Sequence, residues 1–379
     1  MPPPAPVTTT TSFSKPVMSG YPLFPLRLPG WRYCPRQCTL QSRHPRSGMR
    51  RLTQKSFHPE LAVVTGAGSG IGRGTAKALA ARGAEVVVAD INFATAKDTV
   101  SLIHSAGGSA FPYALDVGDP LALEAFADYV RSAHGVPDVV VNNAGIVVGG
   151  PFFDIRPADL HRIADVNLTA IVHGCRLFGA QMAARGRGGH LVNISSMAAF
   201  APIRMGTPYA FASAGVKHFS ETLRTELASE RIGVTVVCPG LIATNLAATA
   251  TLSTLSAEQV AIARQIVVKG MSLIGMHPDK AGRRIVEAVE RNRAVLPLRW
   301  ESWLAYRLTR AFPRTSRALM RAVSGPEVER VARFVIDHPG FLGVAREAAE
   351  IMPQRRGLQT YWEPPEYDDP PAPPIPLRR

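Results

Sequence analysis

The residues best suited to chemistry begin with a glycine-rich run, Thr65-Gly66-Ala67-Gly68-Ser69-Gly70-Ile71-Gly72. Glycine tolerates positive φ and lets a backbone come close to a phosphate. A helix starting there adds free N–H groups and the positive end of its dipole. The spacing is T-G-x-x-x-G-x-G; the commoner G-x-G-x-x-G register would put its third glycine on Ile71 or Arg73. Gly66, Ser69, Gly70, Ile71 and Gly72 are the candidate pyrophosphate-binding residues. Asp90 follows Gly72 by 18 residues and ends a second apolar run. A carboxylate there can accept hydrogen bonds from the ribose hydroxyls of an adenosine. It would repel a 2′-phosphate, and the next residue is Ile91 rather than arginine, so the expected cofactor is NAD in preference to NADP.

These residues need a frame that puts a turn between a strand and a helix. Leu61–Thr65, Glu85–Ala89, Asp138–Val141, His190–Ile194 and Gly233–Val237 are short apolar runs that read as buried strands. Helical patterns lie between them at Ile71–Arg82, Asn92–Ala106, Pro120–Ala133, Pro157–Ala184 and Tyr209–Glu230. The alternation predicts an α/β fold, a Rossmann-type doubly wound parallel sheet with helices on both faces. A further helix, Ala281–Arg291, and a strand-like Ala294–Leu298 follow.

The charge is distributed unevenly. The chain has 379 residues and a net charge of +14, but residues 59–280 carry 17 bases and 17 acids. Residues 1–58 carry nine bases and no acid, and 281–379 carry 17 bases and 12 acids. A nucleic-acid-binding domain carries its basic patch on the folded unit, so no nucleic-acid partner is expected. We divide the chain into a disordered, basic, Pro-rich leader (1–58), a single folded domain (59–298), a helical Arg-rich extension (299–352) and a disordered Pro-rich tail (353–379). The leader has no long apolar region and its prolines break an amphipathic helix, which argues against a targeting peptide. It reads as disordered sequence, or as sequence upstream of a start at Met49. Four cysteines form no disulfide scaffold, and the C-x3-C of Cys34 and Cys38 lacks a second ligand pair, so no metal site and a reducing, cytoplasmic setting are expected.

With these motifs in this order, residues 57–298 resemble the short-chain dehydrogenase/reductase family. Further positions carry the resemblance. Asp116-Val117 matches the family's adenine-contacting pair, and Asn142-Asn143-Ala144-Gly145 matches its N-N-A-G. Asn167 matches the helix asparagine of its catalytic set, and Tyr209 follows Ser196 by 13 residues, the family spacing of catalytic serine and tyrosine. Pro239-Gly240-Leu241-Ile242-Ala243-Thr244 matches P-G-x-x-x-T, which holds the nicotinamide carboxamide. The resemblance implies an oxidoreductase acting on an alcohol or ketone. Tyr209 would be its acid/base, Ser196 would orient the substrate oxygen, and Asn143, Ala144, Gly145, Pro239, Gly240, Ile242 and Thr244 would join the cofactor site. It also implies a homodimer or homotetramer paired through the helices bearing Asn167 and Tyr209.

One position departs from the pattern. The family places a lysine four residues after the tyrosine, and here that residue is Ser213. An unperturbed tyrosine has a pKa of about 10, so about a thousandth is phenolate at neutral pH. Losing a depression of about 2–3 units raises the barrier by roughly 3–4 kcal/mol, a factor of about 10²–10³ in rate. Lys217 lies one turn further along the same helix, about 6 Å beyond the missing ammonium. A working or attenuated enzyme is the first expectation, and an enzyme with a rearranged proton relay is another. A redox-inactive NAD-binding protein acting through a partner or a membrane is the alternative.

On the substrate side, Leu246–Met276 is dominated by apolar residues and reads as a lid over a lipophilic substrate. In the extension, Trp300, Trp303, Leu304, Leu308, Ala311 and Phe312 read as one helical face, with Arg307 and Arg310 off it. Residues 281–321 hold ten Arg and three Glu. The face reads first as one packed on the core or a partner subunit, and second as a peripheral membrane contact over 299–321.

Overall fold

A computed structural model describes residues 57–323 apart from 245, 247–250, 253–270 and 272–273. The leader up to residue 56, the tail 353–379, the extension beyond 323 and most of the expected lid lie outside the described residues, as do Cys34 and Cys38.

Seven parallel strands form the sheet: β1 (Leu61–Thr65), β2 (Glu85–Asp90), β3 (Ser109–Ala114), β4 (Val139–Asn142), β6 (Gly189–Ile194), β7 (Ile232–Cys238) and β9 (Val295–Pro297), in the order β3-β2-β1-β4-β6-β7-β9. A two-stranded pair, β5 (Val148–Gly149) with β8 (Thr251–Leu252), stands apart from it. The order reverses between β1 and β4, which is where a doubly wound sheet opens a crevice at its carboxyl edge.

The strand sequences explain the two-sided core. Successive residues of β1 face opposite ways: Ala62 and Val64 join one apolar cluster, Leu61 and Val63 the other. The first cluster is covered by α1 (Gly70–Ala80), α2 (Phe93–Ser105) and α7 (Pro278–Glu290). The second is covered by α3 (Pro120–Ala133), α5 (Ala170–Arg185) and α6 (Thr207–Glu226). Cys175 and Cys238 are buried in the second cluster. Local chemistry sets several helix starts: Asn92 and Asp119 each accept two backbone N–H bonds at the heads of α2 and α3.

Two expectations are corrected. The pattern over Pro157–Ala184 is not one regular helix. It is α4 (Pro157–Ala164), a π-helical turn at Asp165–Thr169, and α5. Asn167 lies in that turn, and its side-chain amide pairs with the backbone of Ile146, which the regular helix would not present in the same way. The second correction is the face on α8 (Trp300–Ala311). That helix docks by its other side, where Ser302 is buried, and Trp300 (66% exposed), Trp303 (50%) and Phe312 (60%) face solvent. Arg307 sits within the aromatic face, its guanidinium 5.2 Å from the Trp303 ring. A further helix, α9 (Pro313–Val323), follows.

Candidate active site

The glycine turn leaves β1 and enters α1 without a side-chain cap from Ser69, so that side chain takes none of the first N–H groups of α1. Gly66 and Gly70 take positive φ, 61° and 54°. The turn is anchored from three sides. The Gly68 N–H donates to Asp90 Oδ2 at 2.8 Å. Arg73 donates to the Gly68 carbonyl. Asn143 Nδ2 donates to the carbonyls of Thr65 and Gly66 at 2.8 and 3.0 Å. Thr65 Oγ1 accepts from the N–H groups of Asn143 and Ala144, tying the ends of β1 and β4 together. Thr65 opens the motif but carries no expected role in the sequence, and this hydroxyl is its contribution.

A cleft of about 540 Å³ runs from this turn across the carboxyl edge of the sheet, a size within the ordinary range for small-molecule sites. Its wall contains Gly66, Ser69, Gly70, Ile71, Asp90, Asp116 and Val117 towards the turn, and Asn143, Ala144 and Gly145 at its middle. Asn167, Ser196, Tyr209, Ser213, Pro239, Gly240, Ile242 and Thr244 line it too. Gly72 is the exception among the expected residues. A Cβ there would lie 2.2 Å from the Gly66 carbonyl oxygen, so this glycine serves close packing of the turn rather than the cleft surface. Arg162 of α4 also lines the cleft and pairs with Asp116 at 2.9 Å. It lies inside a helical pattern with no motif around it, and nothing in the sequence marks it.

Ser196 follows β6, and its hydroxyl accepts from the Ala198 N–H at 3.2 Å. Tyr209 sits in the first turn of α6. Burial raises the pKa of its phenol above the ordinary 10, and a hydrogen bond with Ser196 pulls it back. The buried Ser195 hydroxyl donates to the Ser213 carbonyl at 2.8 Å, which joins the end of β6 to α6. Ser213 brings no charge to the phenol. Lys217 Nζ is committed to Glu221 Oε2 at 2.6 Å, one turn further on, where Arg310 lies 4.0 Å from the other carboxylate oxygen. Among the described residues lining the cleft, Arg162 is the single cation, and its partner is Asp116.

These observations fit a nicotinamide dinucleotide. The uncapped helix start and positive-φ glycines offer a phosphate cradle, and Asp90 stands at the end of β2 where a ribose would lie. No group of three or more metal-ligating side chains occurs among the described residues.

A doubly wound sheet with a glycine turn at its switch point and a Ser–Tyr pair on the same cleft defines a nucleotide-dependent oxidoreductase architecture. The chain belongs to the short chain dehydrogenase family, which residues 60–254 match. It is 44% identical over 267 residues to "Probable oxidoreductase EphD" of Mycobacterium tuberculosis, covering 70% of this chain and 45% of that protein. The chain therefore spans about half the length of that relative. It is 38% identical over 187 residues to the 7alpha-hydroxysteroid dehydrogenase of Escherichia coli, covering 49% of this chain and 72% of the relative. Among solved structures, a short chain dehydrogenase/reductase from Burkholderia phymatum in complex with NAD shares the fold (TM-score 0.62, 24% identity, 69% of this chain, 97% of that one). A metagenomic short-chain oxidoreductase in complex with NADP matches with TM-score 0.51 and 30% identity over 62% of this chain and 94% of that one.

Proposed function

We propose that this protein transfers a hydride between NAD and a lipophilic alcohol or ketone, at a rate attenuated by Ser213. The observation that carries the reading is that Ser196 and Tyr209 line the same cleft as the glycine turn and Asp90. When bound, the dinucleotide supplies the hydride donor or acceptor. Ser196 holds the substrate oxygen, and Tyr209 gives or takes its proton. Asp90 favours NAD by excluding a 2′-phosphate. Ile146, Leu246 and Met271 make this part of the wall apolar, which supports a lipophilic substrate.

The test is NADH binding followed by NADH formation across a series of apolar secondary alcohols, with wild type and Ser213→Lys. Binding with weak turnover in wild type and stronger turnover in the variant is expected. Binding with no turnover in either protein would favour the second reading, a redox-inactive NAD-binding protein. What favours that reading is that Arg162 is the single cation among the described residues lining the cleft, and that Lys217 pairs with Glu221.

Two surfaces go with the proposal. Phe211 on α6 is 61% exposed, and Val172 on α5 also reaches solvent, which supports pairing of subunits through these helices. The solvent-facing aromatics of α8 stand among exposed Arg307, Arg310, Arg314 and Arg317, while Glu301 turns inward. That pattern supports contact with an anionic membrane surface. No helix among the described residues is long and apolar enough to cross a membrane. Co-sedimentation with phosphatidylglycerol vesicles and not with phosphatidylcholine vesicles is expected, with loss in a Trp300→Ser/Trp303→Ser variant. Equal behaviour of variant and wild type would remove the contact from α8.

A further inference from the structure

We infer that Glu301, in the extension, is a positioning residue for the cofactor site and acts through the Cys238–Leu241 backbone. This rests on the dinucleotide reading above and deepens it, because Pro239 and Gly240 line the cleft from the other side of that backbone.

Four contacts hold the segment from behind. Glu301 Oε1 accepts from the Leu241 N–H at 2.9 Å. Arg299 Nη1 donates to the Leu241 carbonyl at 3.0 Å. Ser302 Oγ donates to the Cys238 carbonyl at 2.6 Å, and the Leu298 N–H donates to that same oxygen at 3.1 Å. The second carboxylate oxygen of Glu301 makes an ion pair with Arg299 Nε at 3.2 Å, without hydrogen-bond geometry. Glu301 also explains the glycine it covers: a Cβ on Gly240 would lie 2.5 Å from Glu301 Oε1. Gly240 is thus one residue thick between the cleft and the extension.

The sequence distance makes the arrangement informative. Leu241 and Glu301 are 60 residues apart, and Glu301 sits beyond the end of the seven-stranded sheet. Residues 298–302 form a strip that grips the strand exit at both its carbonyl and amide groups. A charge-assisted bond to a backbone N–H is among the stronger neutral-backbone contacts. Its loss frees Leu241 and Gly240 to move, and with them the wall on the Tyr209 side of the cleft. The glycine turn, held by Asp90, Arg73 and Asn143, is not touched by this strip.

The experiment uses two probes on the full chain: NADH, which on the dinucleotide reading would span both ends of the cleft, and ADP-ribose, which lacks the nicotinamide. Glu301→Ala is expected to weaken NADH about tenfold and to leave ADP-ribose within about twofold, which also reports that the fold is intact. Glu301→Gln keeps the Oε1 acceptor and is expected to restore most of the NADH affinity. Equal weakening of both probes in Glu301→Ala, or no weakening of NADH, overturns the inference. If Glu301→Ala does not fold, Glu301→Asp, which draws the carboxylate back from the Leu241 N–H, is read the same way. Wild type that binds neither probe overturns this inference and the dinucleotide reading together, and it does so before any variant is made.

Discussion

At the glycine-turn end of the cleft, the turn and the acids beside it are braced by partners of the right kind. Gly68 is held by Asp90 and Arg73, Gly66 by Asn143, and Asp116 by Arg162. At the Tyr209 end, Ser213 stands four residues after the tyrosine, Lys217 is spent on Glu221, and the single cation among the described residues lining the cleft is Arg162, paired with Asp116. The first end is built from backbone and nearby side chains. The second borrows its support from the extension, through Arg299, Glu301 and Ser302. Under the proposed function, holding a nucleotide and turning it over would be separable, since the features each needs lie on different elements.

The largest expected effect breaks one end and spares the other. Tyr209→Phe removes the proton donor while leaving the glycine turn intact. Turnover should fall by about 10³ or more, and NADH affinity, read by fluorescence titration, should stay within about twofold. A parallel loss of affinity would mean that the two ends are not independent.

Ser213→Lys supplies the missing charge and should raise turnover about 10²–10³. The pH dependence gives the sign. Alcohol oxidation needs the phenolate, so its rate climbs tenfold per pH unit below the tyrosine pKa. Burial raises that pKa, so the wild-type profile should still be climbing near pH 10. In Ser213→Lys the limb should move towards neutral pH. A wild-type plateau already at pH 7–8 would show that some other group lowers the phenol pKa.

Much of this contrast was legible in the chain because it depends on residue types at fixed spacings. The glycine run, Asp90, and the serine in place of lysine are local facts, and the Val-rich strands are buried on both faces, so their composition is unambiguous. β3 was not legible. As Ser109–Ala114 it lies at the sheet edge, half exposed, with Pro112 in its middle, so it lacks the apolar run that marks the inner strands. The π turn was hidden because what Asn167 bonds there, the backbone of Ile146, lies 21 residues away. Arg162 and Glu301 were hidden for the same reason: each acquires its partner only on folding. The α8 face was legible as a pattern, but which side of the helix meets the core is decided by Ser302 and Glu301, and neither belongs to the apolar stripe.

The smallest expected effect tests the better-built end. Asp90 does two things at once: its Oδ2 accepts from Gly68 and its Oδ1 from Asn92, and the carboxylate also faces the cleft. Each ionised oxygen has a second acceptor site, so it can serve the turn and a ribose hydroxyl together. Asp90→Ser therefore weakens the turn for any dinucleotide, and a simple loss of NADH affinity would be ambiguous. The ratio of NADPH to NADH dissociation constants removes that common loss, because both ligands need the same turn. Wild type should prefer NADH, and the ratio should fall about tenfold in Asp90→Ser, or about 1.4 kcal/mol of discrimination. A ratio unchanged by the substitution would mean that Asp90 is a structural brace of the glycine turn alone, and that cofactor choice lies with another group on the same wall, of which Arg162 is the charged candidate.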